Sequence, residues 1–137
     1  MTYALAAPLQ AAVFQALSAD PALSGIVGGA VYDAVPPGTP PPLYVTLGQE
    51  VVRDRSDQTG AGAEHELNVS VITDSAGFAS AKAAAAAISD ALVDAELTLS
   101  RGRLVGLQFH RAKAARVGTG DQRRIDLTFR ARVDDSA

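Results

Sequence analysis

The chain has 137 residues, no cysteine and a formal net charge of −3. One domain is expected over residues 1–137, and a disulfide framework, a thiolate metal site and a cysteine nucleophile are excluded. The charge is lopsided: residues 1–100 carry three basic against eleven acidic residues, a balance of −8, while residues 101–137 carry nine against four, a balance of +5. The hydrophobic fraction of 47% contains 27 alanines, so the core must come mainly from 34 Val, Ile, Leu and Phe residues. No apolar run approaches the roughly 20 residues that span a bilayer. The start of the chain lacks a basic region followed by an apolar one, so no signal peptide is read and a soluble protein without membrane association is expected.

In chain order, Pro8 fits a first helical turn, and Leu9, Val13, Phe14 and Leu17 fall at helical spacing as far as Ala19. Asp20-Pro21 ends that helix, residues 22–29 allow one more turn before Gly28-Gly29, and residues 30–35 read as a short strand. Five prolines within residues 36–42 make an extended surface connection. From Leu43 the pattern is a strand to Arg55, with a bend at Gly48, followed by a polar loop over residues 56–63. Residues 66–71 alternate, with Leu67, Val69 and Val71 on one face and Glu66, Asn68 and Ser70 on the other. Asp74 or Ser75 is placed to cap a second helix, along which Phe78, Ala81, Ala85, Ile88 and Leu92 make an apolar stripe. Residues 104–117 and 123–133 complete the pattern as two strands across the turn sequence at 118–121. In the last of them Ile125, Leu127, Phe129, Ala131 and Val133 point inward.

The expected fold is α+β, in the order α-β-β-β-α-β-β: a largely antiparallel sheet of four to five strands with two main helices packed on one face. Its exposed face would display Glu66, Asn68, Ser70, Gln108, His110, Arg124, Arg130 and Arg132.

No motif carries catalytic chemistry. His65 stands between Glu64 and Glu66, but adjacent strand residues point to opposite faces, so the three do not share a metal. His65 and His110 would be the acid-base pair of a small hydrolase or nuclease, yet alternation puts them on opposite faces, and both are expected to be solvated strand histidines. The glycine clusters at 25–29 and 60–62 lack the spacing and lysine of a phosphate loop, and no serine sits in a nucleophile elbow. Eight of the ten arginines follow residue 100, but the outward strand positions carry no aromatics to stack on bases, which disfavours sequence-reading of nucleic acid. Catalytic residues, metal ligands and cofactors are therefore expected to be none.

The helical start ending near Ala19, the strand Val31-Tyr32-Asp33-Ala34-Val35-Pro36 and the proline-rich approach to Tyr44-Val45-Thr46-Leu47-Gly48 recur in a known order. So do the loop between Arg53-Asp54 and Gly62, the alanine-rich helix, Leu104-Val105-Gly106-Leu107-Gln108-Phe109, and the final strand around Phe129-Arg130-Ala131. In that arrangement the chain resembles the tail-completion, or tail-terminator, proteins of long-tailed bacteriophages and prophage-derived gene transfer particles. The resemblance implies a homohexameric ring at the head-proximal end of a tail tube, assembled in the bacterial cytoplasm. It would stop tube growth and join the tail to the neck or head-tail connector, with DNA passing through the lumen without sequence-specific binding.

A ring repeats one heterologous interface, and the lopsided charge offers two complementary surfaces for it. The candidate ring interface or exposed sheet face is Glu66, Asn68, His110, Arg124, Arg130 and Arg132. The candidate contact loop for tube or neck comprises Arg53, Asp54, Arg55, Asp57, Gly60 and Gly62. A head-tail connector or tail tube protein of the same particle is the alternative, with the histidine-dependent hydrolase behind it.

Overall fold

A computed structural model describes residues 3–55, 62–74, 78–118 and 122–135. They form α1 (Ala6–Ala19), α2 (Pro21–Val27), β1 (Val31–Tyr32), β2 (Leu43–Asp54), β3 (Gly62–Thr73), α3 (Ala79–Leu92), β4 (Arg103–Arg116) and β5 (Arg123–Asp134). The fold is α+β in the expected order.

Leu9, Val13 and Leu17 recur every four residues along α1 and are buried, which sets the face it turns to the sheet. Asp20 then leaves the helical region, and its carboxylate accepts from the Leu23 N–H at 3.0 Å, so one residue ends α1 and caps α2 with Pro21 in its first turn. Gly28, at φ 70, closes α2 in a conformation that costs glycine little. β1 is shorter than the expected strand over 30–35. Only Val31 and Tyr32 pair, in parallel with Val45 and Thr46, before the chain runs into prolines that have no N–H to offer a ladder.

The sheet order is β1-β2-β3-β5-β4, with every neighbour antiparallel except β1 and β2. β3 and β5 hold one unbroken register from Gly62 opposite Asp134 to Thr73 opposite Arg123. Their inward residues Leu67, Val69, Val71, Ile125, Leu127, Phe129, Ala131 and Val133 are all buried, as alternation requires. α3 reaches this layer through Ala81, Ala84, Ala85, Ile88 and Leu92, alanine allowing close approach to the strands. Its cap differs from expectation. The helix begins at Ala79, too far along for Asp74 to cap it, and Phe78 at the N-cap makes no side-chain bond. The Asp74 N–H instead donates to the Pro42 carbonyl at 3.0 Å, and Ser75 lies outside the described residues.

The bend at Gly48 is a bulge: β2 slips register between Leu47 and Glu50. Beyond it Glu50 and Val52 oppose Leu67 and His65 on the helix side, while Val51 and Arg53 oppose Glu66 and Glu64 on the other. No helix among the described residues is long and apolar enough to cross a membrane.

Candidate functional site

The sheet face opposite the helices is polar, and its residues are tied to one another. Cross-strand register sets Glu66 and Gln108 on either side of Arg130, and Asn68 opposite Thr128. Arg130 lies 3.5 Å from Glu66 Oε1 and 3.9 Å from Glu64 Oε1, with its Nη2 3.2 Å from His110 Nε2. Thr128 Oγ1 donates to Asn68 Oδ1 at 2.7 Å. Ser70 Oγ donates to Asp126 Oδ1 at 2.6 Å, and Arg124 donates both to Asp126 at 2.7 Å and to Ser70 at 3.2 Å.

The structure thus brings Glu66, His110 and Arg130 into one cluster, and Arg124 into a second with Ser70 and Asp126. Asn68 bonds to Thr128, and Arg132 is exposed between Glu64 and Gly106.

This pairing refines the expected charge complementarity. Arg124 and Arg130, together with Arg101 against Asp135 at 2.8 Å, Arg103 against Asp134 at 3.6 Å and Arg55 against Glu64 at 3.7 Å, meet carboxylates within the subunit. The same contact with Asp135 holds the Arg101 guanidinium above its already high ordinary value. Such exposed pairs are weak, and among those of the C-terminal segment only Arg130 reaches carboxylates of the earlier one, the others joining charges within the segment. Among cations without an ion-pair partner among the described residues, Arg53, Lys82 and Arg132 stand on separate elements, whereas three share β4, where Arg111 and Lys113 project from the polar face and Arg116 from the helix side. Arg111, Lys113 and Arg124 line an open depression facing the β2 bulge at Gly48 and Gln49.

The strand expected over residues 104–117 is present as β4, and what sequence reasoning missed is how bare it stands. It is the last strand of the sheet, and Gln108 through Ala114 are exposed on both faces. Ala112 and Ala114 stand opposite the buried Leu127 and Ile125, so they lie on the helix side, yet nothing among the described residues covers them. Phe109, edge-on to Phe129, is 47% exposed. The signal was present in sequence: inward positions that carry Ile and Leu on β5 carry only alanine on β4.

The two histidines do lie on opposite faces, which separates them as an acid-base pair, but His65 is not solvated. It is 0% exposed on the helix side, where the bulge also turns Glu50 inward to meet its Nδ1 at 3.0 Å. The carboxylate accepts, so Nδ1 carries the proton, and the buried Nε2 has no hydrogen-bond partner among the described residues. Tyr3 Oη donates to the other oxygen of Glu50 at 3.1 Å, and this bond, with the carboxylate's charge, raises the phenol above its ordinary 10.0.

Of the candidate contact loop, Arg53, Asp54 and Arg55 are exposed at the end of β2, whereas Asp57 and Gly60 lie outside the described residues. Gly62 belongs to β3. Its carbonyl accepts from the Arg55 N–H at 2.8 Å, and a Cβ at this position would stand 2.9 Å from the Arg55 carbonyl oxygen, so the β2–β3 hairpin closes only on glycine here.

Three comparisons bear on this arrangement. The family described as tail completion protein gp17 matches residues 11–134. Among solved structures, the chain is similar to a chain of the virion of a native gene transfer agent particle, at 67% sequence identity and a TM-score of 0.93, covering 97% of this chain and 99% of that one. No curated protein matches.

Proposed function

The chain belongs to the tail completion protein gp17 family, and on that premise we propose that it closes a phage-like tail at its head-proximal end. It is a structural component of such a tail. The finer reading is a ring, hexameric by the resemblance, that seats on the open end of the tail tube, halts its polymerisation and presents a surface to the neck or head-tail connector. DNA passes through the lumen without sequence recognition, and assembly takes place in the bacterial cytoplasm. The family match over residues 11–134 carries this reading, and the likeness to a gene transfer agent virion chain supports a particle of that kind. The mechanism is geometric: a ring that matches the tube on one side and lacks the tube's growth surface on the other removes the template for the next subunit. No covalent step is required, which suits a chain whose two histidines sit on opposite faces of one sheet.

The test is the mass of the purified protein with and without tail tubes, followed by imaging of where it sits. One ring at one end of each tube is the expected result. Long cylinders built of the protein itself would make it a tube protein, and its absence from tube ends would overturn the reading.

A further inference from the structure

The sheet ends in two open edges. On one side, β1 covers β2 only at Val45 and Thr46, and past them no strand lies beside β2 among the described residues. On the other side, β4 is terminal. The segment after α3 touches its first half through the Asp94 N–H to the Leu107 carbonyl at 2.9 Å, and no strand among the described residues lies beside the second half. A long free edge is a template for strand pairing, and soluble proteins blunt or fill such edges. Here the free half of β4 also has a bare helix side, made of Phe109, Ala112 and Ala114.

We propose that β4 of one subunit pairs with the open edge of β2 in the next, continuing the sheet from copy to copy. The proposal rests on the ring reading and supplies its interface.

Three features fit the second copy as occupant. First, β2, β3, β5 and β4 alternate in direction, so β4 runs opposite to β2 and the joint is antiparallel, like most of the sheet. Second, the two edges differ, so the contact is head to tail and can close into a ring rather than a two-fold dimer. Third, continuing a sheet keeps its helix side in common. The neighbour's α1, beside the β1–β2 edge, then comes over the bare strip on β4.

The outward side of α1 suits that place: a groove of Ala7, Ala11 and Phe14, with Asp33 held at its rim by Gln10 at 2.6 Å. Alanines on β4 meet small residues and one ring on α1, while Asp33 comes near Arg116.

The natural chain has no cysteine, which allows a direct test. Lys113→Cys, on the polar side of β4, is combined in turn with Val51→Cys and Arg53→Cys on the same side of β2. Each is oxidised after assembly on tail tubes. The expected outcome is a ladder of crosslinked multimers up to the ring size for at least one pair, with none for any single-cysteine variant. Rings that form with normal mass but yield no crosslink for either pair would overturn the edge pairing and leave the ring reading standing. Dimers from Lys113→Cys alone would replace it with a two-fold contact. A chain that never leaves the monomeric state on tubes would overturn both readings. Ala112→Asp provides a second arm: it is expected to keep the circular dichroism of the parent and lose the ring. A ring of unchanged mass in that variant would count against α1 covering the strip.

Discussion

Tyr3, Glu50 and His65 form a chain of contacts from the N-terminal segment into the sheet. Glu50 accepts from both neighbours, one of them fully buried. Glu50→Ala leaves the His65 Nδ1–H buried without an acceptor, a loss worth about 1–3 kcal/mol. Adding His65→Leu removes that orphaned donor and should recover most of it, a coupling that a double-mutant cycle in denaturant measures. Tyr3→Phe has a spectroscopic signature: the phenolate transition that Glu50 raises above the ordinary value should disappear from an ultraviolet titration. A raised folded-state value means that the contact's stabilisation is full below the ordinary value of 10.0 and fades as pH climbs through the raised one. None of this chain of contacts was legible in sequence. Alternation placed His65 on one face correctly, but its partner there is Glu50, fifteen residues away, which a bulge turns onto the same side.

At the scale of elements, periodicity predicted most of what is seen. The α1 stripe, the α3 stripe and the inward set of β5 all stand where a period of 3.6 or 2 puts them. α3 makes this testable. Ala84 is 0% exposed, so Ala84→Leu forces extra volume between helix and strands and should cost about 1–3 kcal/mol in chemical unfolding. β1 ends at Tyr32 as the chain nears prolines that offer no ladder N–H, and the expected α3 cap is missing because the helix starts at Ala79, beyond the reach of Asp74. β3, conversely, extends from the expected residues 66–71 to Gly62–Thr73, since its partners on both sides continue the ladder. The bulge at Gly48 and Gln49 was legible as a bend, though its effect on the facing of Glu50 was not.

For the whole molecule, most of the charge asymmetry survives folding, because the ion pairs of Arg101, Arg103 and Arg124 lie within the C-terminal segment. Among the paired arginines of the C-terminal strands only Arg130 reaches carboxylates of β3, while Arg124 meets Asp126 on β5 itself, and Arg111, Lys113 and Arg116 stand on one edge strand without an ion-pair partner among the described residues. Assembly should therefore lose its ionic-strength dependence on removal of Arg111, Lys113 and Arg116, and keep it in Arg130→Gln, measured as association rate against salt. The β2–β3 connection gives a second expectation. Replacing residues 57–61 with a short turn, and keeping Gly62 for its close approach to Arg55, should leave unfolding unchanged and impair joining of the tail. The amino-acid sequence by itself determined the class of fold, the inward face of the main elements, the absence of thiol chemistry and the family likeness, because these depend on periodicity, composition and local order along the chain. Only the tertiary structure decided which arginines are spent, where His65 lies and which edges of the sheet stay open, because each depends on residues far apart in sequence being set opposite one another by strand order and register.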